Sequence, residues 1–207
     1  VMGIIAGGDA ALRSAVEKIE DCGGIGRRDM QSHHVGRLDA VVGITASGNA
    51  RYVCGALQEA RRRGAATIAV CNTRPAALSA YADVSVIPVV GPEVIMGSTR
   101  MKAGTAQKMV LNMLTTASMI QLGKTYRNLM VDLVPSNQKL LDRSIRIVMA
   151  AAAVSRERAE QSLRLTGGDT KAAIVMLETG CSPSEASHAL KRTGGVTRKA
   201  ILSLQRE

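Results

Sequence analysis

With 207 residues, 46% of them hydrophobic but none of them Phe or Trp, the chain can bury a full-sized core only with Val, Ile, Leu, Met and Ala, a composition that suits parallel strands covered by helices. Its net charge of +10 is spread along the chain: residues 1–134 hold 15 basic and 10 acidic side chains, and residues 135–207 hold 12 and 7. There is therefore no basic tail and little aromatic surface for bases to stack on, so nucleic acid is not an expected partner. The apolar runs are shorter than the ~20 residues of a membrane span, and that from Ile145 to Val154 is broken by Arg146.

Val1–Ala6 is predicted as a buried strand, followed by Gly7-Gly8 and a helix from Asp9 to Asp21. A chain seldom opens on a central strand, so an upstream segment of the parent protein is expected. Further strands are predicted at Leu38–Ile44, Ala66–Cys71 and Val84–Pro88, with a helix at Ala50–Arg63. Short apolar β runs alternating with helices predict parallel βαβ units, and ligands of such sheets bind at the carboxyl ends of the strands. A long helix is predicted from Ser98 to Leu122, stopped by Gly123, and another from Pro135 to about Ala152. From Ser155 the chain breaks into short amphipathic helices separated by Gly167-Gly168 and Gly194-Gly195, one of them opened by the capping box Ser182-Pro183-Ser184-Glu185.

Cys22, Cys54, Cys71 and Cys181 are too scattered for a disulfide framework or metal site, which fits a reducing cytoplasm. His33 and His34 are expected in an exposed polar loop with Arg27, Arg28 and Gln31, and neither they nor His188 receive a role. No cofactor is called for.

Two stretches have the chemistry of an anion site. Thr45-Ala46-Ser47-Gly48-Asn49 lies between a strand and a helix, where hydroxyls and unpaired backbone N–H groups cradle phosphate; equally, Ser47 or Asn49 could simply cap the helix. Ser98, Thr99, Arg100 and Lys102 crowd two hydroxyls and two cations at the start of the long helix; cations at a positive helix end suggest a compensating anion nearby, although composition alone favours a surface helix whose Lys and Arg are solvated. Met109, Met113 and Met119 form a stripe on that helix, for which burial in the core is the first expectation.

Val94–Lys108, VIMGSTRMKAGTAQK, is similar to the signature of the N-acetylmuramic acid 6-phosphate etherases, and the likeness extends through Ile4–Gly8, Val41–Gly48, Asn128–Asp132 and Gly168–Met176. The resemblance implies an α/β fold: a three-layer, parallel-sheet sugar-isomerase (SIS) domain over 1–134, related to glucokinase regulatory protein, with a connecting helix at 135–154 and a small ubiquitin-associated-like helical module at 155–207. It also implies cleavage of the D-lactyl ether of N-acetylmuramic acid 6-phosphate by elimination and water addition, without a metal, in a cytoplasmic homodimer. Aligned to the family, Glu20 takes the place of one catalytic glutamate, with Glu17 one turn earlier on the same helix face, and Thr45, Ser47, Gly48, Asn49, Ser98, Thr99, Arg100 and Lys102 take substrate- and phosphate-binding places. The second glutamate and the first phosphate loop of the family fall upstream of Val1. At Asn49-Ala50-Arg51 the family usually has Arg-Thr-Pro, so Arg51 is a candidate for the shifted charge. A phosphosugar sensor without catalysis, of the glucokinase-regulatory-protein type, is the main alternative; a helix-turn-helix regulator built on the tail fits less well, because few of its side chains suit base edges.

Overall fold

The computed structural model describes residues 1–206, which fall into two compact units, Val1–Met113 and the remainder from Leu114.

In the first unit α1 (Gly8–Ala11) is followed by a 3-10 turn at Ile19–Asp21, α2 (Gly23–Ser32), β1 (Ala40–Ile44), α3 (Arg51–Arg62), β2 (Ala66–Val70), a 3-10 segment at Ala77–Tyr81 and β3 (Val84–Val86). The strands form a parallel sheet in the order β1-β2-β3, with Ala40 opposite Ala66 and Ile68 opposite Val84. Central β2 carries Thr67, Ala69 and Val70, all fully buried. Thr67 is tied to the start of β3: its N–H and hydroxyl both donate to the Asp83 carboxylate at 2.8 Å. These bonds to Thr67 hold the Asp83 carboxyl below the usual range.

Helix α2 was not expected; its two glycines at Gly23-Gly24 resemble a loop signal. Gly23, with Gly26, serves packing instead, while Gly24 faces open space. A Cβ on Gly26 would lie 2.1 Å from the Tyr52 carbonyl oxygen, and one on Gly55 would lie 2.1 Å from that of Gly23, so the backbones of α2 and α3 meet where no side chain fits. Met30, Val35, Ala56, Ala60 and Ala65 fill the remainder of this contact. Arg27, Arg28 and Gln31 therefore lie on a helix, and Glu59 gathers Gln31, Arg62 and Arg63 around its carboxylate. These donors, Arg62 foremost, bring the Glu59 pKa down to about 2.

The amino-terminal segment departs from expectation. Val1–Ala6 is not a strand; Val1, Met2, Ile4 and Ile5 are exposed and have no ladder partner. The helix expected over Asp9–Asp21 is reduced to α1 and the 3-10 turn, separated by irregular chain in which Lys18 has φ 61°. α1 buries no residue, and Leu12 and Val16 are exposed; short helices depend on packing an apolar face, and this one has nothing to pack against. Glu17 and Glu20 accordingly do not share a helix face.

Helix α4 (Lys102–Gln121) begins four residues later than expected and leaves Ser98 and Thr99 in irregular chain and Arg100-Met101 in a turn. Its Met stripe is exposed, Met109 at 54% and Met113 at 57%, which corrects the expectation of a core position.

In the second unit the hairpin β4 (Thr125–Tyr126) and β5 (Leu129–Met130) precedes α5 (Gln138–Ala152), α6 (Arg156–Leu165), α7 (Thr170–Thr179), α8 (Pro183–Arg192) and α9 (Thr197–Leu204). Tyr126, Val131, Val148, Ile174, Val175 and Ile201 belong to one core to which α5 also contributes. Asn137, Ser155, Asp169 and Ser182 each cap a helix by accepting from the amide three residues on, and Glu185 closes the capping box. The pair α6–α7 is repeated in sequence by α8–α9: Thr166-Gly167-Gly168 with Thr170 returns as Thr193-Gly194-Gly195 with Thr197, and the caps Ser155 and Ser182 correspond. Lys171 reaches from the first copy to the Gly195 carbonyl of the second at 3.1 Å while pairing with Asp132 at 2.9 Å. Among the described residues no helix is long and apolar enough to cross a membrane.

Candidate functional site

The loop between β1 and α3 sits at the carboxyl edge of the sheet, the expected place for a ligand. The Thr45 N–H donates to the Val70 carbonyl, extending the β1–β2 ladder one step, and the loop then turns sharply. Gly48 at the bend has φ 72°, and a Cβ there would lie 2.6 Å from that of Ala76. The Ser47 hydroxyl lies 3.4 Å from that of Thr45 and accepts from the Asn49 N–H at 3.2 Å, while the Asn49 carboxamide oxygen accepts from the Ala77 N–H.

These contacts rule out one of the two uses of the loop, helix capping. Neither Ser47 nor Asn49 caps α3; the cap position is Ala50, with no side-chain hydrogen bond. The first-turn amides of a helix have no partner within it and, together with the helix dipole, attract an anion.

A groove of about 810 Å³ opens beside this loop. Thr45, Ala46, Ala50, Tyr52 and Val53 line one part of it, and Glu20 lines it too, together with Ile4, Ile5, Ala6 and residues of β1. Glu20 is exposed on the 3-10 turn, so the groove brings a carboxylate, a threonine hydroxyl and a helix start to one cavity with an apolar wall. Sequence reasoning passed over Tyr52, whose hydroxyl donates a short hydrogen bond to Asp29. Burial, with the neighbouring Asp29 carboxylate, raises its phenol well above the ordinary range, so the proton stays on the ring oxygen. A side chain on the inner face of α3 at its first turn was the available signal. His33 also lines the groove. Ser47, Gly48 and Asn49 are not part of its lining.

The second candidate stretch is arranged differently. Ser98, Thr99 and Arg100 precede α4, with the Ser98 hydroxyl accepting from the Arg100 N–H at 3.5 Å, and none of them lines the groove. The anion expected at this helix start is internal: Glu93 accepts from the N–H groups of Lys102 and Ala103 at 3.0 and 3.1 Å, which holds its carboxyl below the usual range. The Lys102 ammonium donates to the Pro92 carbonyl at 2.9 Å.

One groove thus holds Glu20, Thr45 and the start of α3, and comparison with known proteins adds to this. Residues 174 in number, 84% of this chain, are 53% identical to an N-acetylmuramic acid 6-phosphate etherase of Glaesserella parasuis serovar 5. Over the same length the chain is 49% identical to the protein of that name from Clostridium acetobutylicum and 51% identical to that from Yersinia pestis strain Pestoides F. The matched region makes up 57%, 58% and 59% of those proteins, so the chain spans somewhat under two thirds of their length. The profile of the SIS domain matches residues 11–117, a stretch that contains the parallel sheet, the Thr45–Asn49 loop and Glu20, and the chain therefore belongs to the SIS domain family.

Proposed function

We propose that the protein acts as an N-acetylmuramic acid 6-phosphate etherase, a carbon–oxygen lyase that releases D-lactate and leaves N-acetylglucosamine 6-phosphate. The observation that carries the reading is the shared groove: Glu20 and Thr45 line it together with the first turn of α3, whose start has no side-chain cap. The phosphate is held by the α3 amides with Thr45 and Ser47, and Gly48 and Asn49 shape that loop; Ser98, Thr99, Arg100 and Lys102 lie outside the groove lining and enter the reading only through the family likeness. Arg51, the first residue of α3, adds positive charge at the same edge.

An ether oxygen is a poor leaving group, so elimination is the economical route. The proton at carbon 2 of the open-chain sugar goes to a base as the carbon–oxygen bond at carbon 3 breaks. An acid gives the departing lactate oxygen its proton, and water then adds across the carbon–carbon double bond. Glu20 carries one of these proton transfers. Relatives named N-acetylmuramic acid 6-phosphate etherase, approximately half identical over 84% of this chain, support the same chemistry here.

The arrangement is read as an SIS domain over 1–134, a connecting helix at 135–154 and a ubiquitin-associated-like helical module from 155, working in the cytoplasm as a homodimer. The exposed Met109 and Met113 on α4 support a subunit contact on that helix.

Incubation with N-acetylmuramic acid 6-phosphate, with D-lactate measured enzymatically, tests the function. Release that falls at least a hundredfold in Glu20→Gln supports it. Binding without release points to a phosphosugar sensor instead, and neither binding nor release overturns the reading.

A further inference from the structure

One buried amide ties the Thr45–Asn49 loop to helix α4. Asn72 is 5% exposed and follows β2 at the carboxyl edge of the sheet. Its backbone N–H donates to the Ala46 carbonyl, at the centre of the Thr45–Ser47 turn, at 3.0 Å. Its side-chain amide donates to the Pro88 carbonyl at 3.0 Å, and its side-chain oxygen accepts from the Gln107 amide of α4 at 2.8 Å. The neighbouring Thr73 hydroxyl also donates to the Ala46 carbonyl at 3.0 Å. The Thr45–Asn49 loop thus has no fixed position of its own beyond β1; it rests on 72–78, and Asn72 in turn is held by the chain leading into α4 and by α4 itself. A buried amide with these partners is costly to rotate, because any other orientation strands a carbonyl or an N–H.

We infer that Gln107 and Asn72 are positioning residues for the anion cradle at Thr45–Asn49: the α4 amide orients Asn72, and Asn72 sets the height at which the loop faces the ligand. The inference rests on the phosphosugar reading of that loop. Neither side chain lines the groove, so both act through the Asn72 backbone, whose N–H holds the Ala46 carbonyl. Removing the Gln107 donor releases the Asn72 side chain, and a cradle whose donors are slightly misplaced loses affinity far more than the protein loses stability.

The test is titration of N-acetylglucosamine 6-phosphate, a probe that undergoes no ether cleavage, followed by amide chemical shifts at Thr45–Asn49. It is run on the parent protein, Gln107→Leu, Gln107→Glu, Asn72→Ala and the double variant Asn72→Ala/Gln107→Leu, with thermal unfolding in parallel. The expected result is binding by the parent and an affinity about tenfold lower in each single variant, with no further loss in the double, since both changes break one relay. Parent-like affinity in folded Gln107→Leu and Gln107→Glu overturns the inference, as do losses that multiply in the double variant. Should Asn72→Ala fail to fold, the two Gln107 variants decide alone. Absence of any shift at Thr45–Asn49 in the parent overturns the phosphosugar reading itself, and the positioning role with it.

Discussion

The first twenty-two residues and the helices from Ser155 onward carry similar apolar patterns and end in different states. In the helical region most of the pattern has somewhere to go: Ile174, Val175 and Ala200 are fully buried, though Leu165 and Leu202 stay exposed, and Ser155, Asp169 and Ser182 cap the helices they precede. At the amino end Ile5, Leu12 and Val16 stay exposed, and neither α1 nor the 3-10 turn has a side-chain cap. Apolar periodicity states what a segment can bury; a partner surface and satisfied ends decide whether it does.

The largest effect expected from breaking this contrast is in the helical core. Ile174→Ala should cost about 2–5 kcal/mol in urea unfolding, while Leu12→Ala, its counterpart in the exposed segment, should stay within about 0.5 kcal/mol; equal losses would mean that the amino segment packs after all. Next comes the part of the first unit that does pack. Gly26→Ala forces α2 away from the Tyr52 carbonyl and should cost about 1–3 kcal/mol, whereas Gly24→Ala on the open side of the same helix, where a Cβ meets nothing within 4 Å, should be neutral or slightly stabilising.

Capping sharpens the comparison at smaller scale. Ser182→Ala removes one half of a capping box and should lower stability by about 1 kcal/mol; Ser14→Ala, which loses only a bond to the Ala10 carbonyl in exposed chain, should leave the melting temperature unchanged. The smallest effect is in acid. The Glu59 pKa is down at about 2 in the folded protein against ~4.3 for an unfolded glutamate. Its contribution is therefore present above pH ~4.3 and disappears as pH falls through about 2. Unfolding midpoints followed between those limits should decline less in Glu59→Gln than in the parent, and parallel curves would show that the arginine cluster adds nothing.

The repeating βα pattern was legible in the residues because β-branched runs of strand length alternate with helices, and β1, α3 and β2 lie within one or two residues of where the pattern put them. The capping box at Ser182 was equally legible, being local chemistry. Helix α2 was hidden by its glycines, which look like loop formers until the close approach of α3 gives them a use. The tandem α6–α7 and α8–α9 pairs are visible in the residues, in the recurrence of Thr-Gly-Gly before a helix, once the helices are laid beside each other. At the site, the composition of the Thr45–Asn49 loop and the family likeness at Glu20 pointed to the sheet edge beside which the groove opens. That Glu93 satisfies the start of α4 could not be seen, since a carboxylate nine residues away in sequence reaches those amides only after the chain turns back.

Taken alone, the order of residues determined the alternation of strands and helices, the capping box at Ser182 and the hydroxyl- and glycine-rich composition of the β1–α3 loop, because each depends on neighbours within a few positions. Tertiary structure decided which apolar runs are buried, that no side chain caps α3, and that Glu20 and Thr45 line one groove while Asn72 ties that loop to α4. Those outcomes depend on contacts between segments distant along the chain, and such contacts exist only once the backbone has closed its loops and paid their entropy.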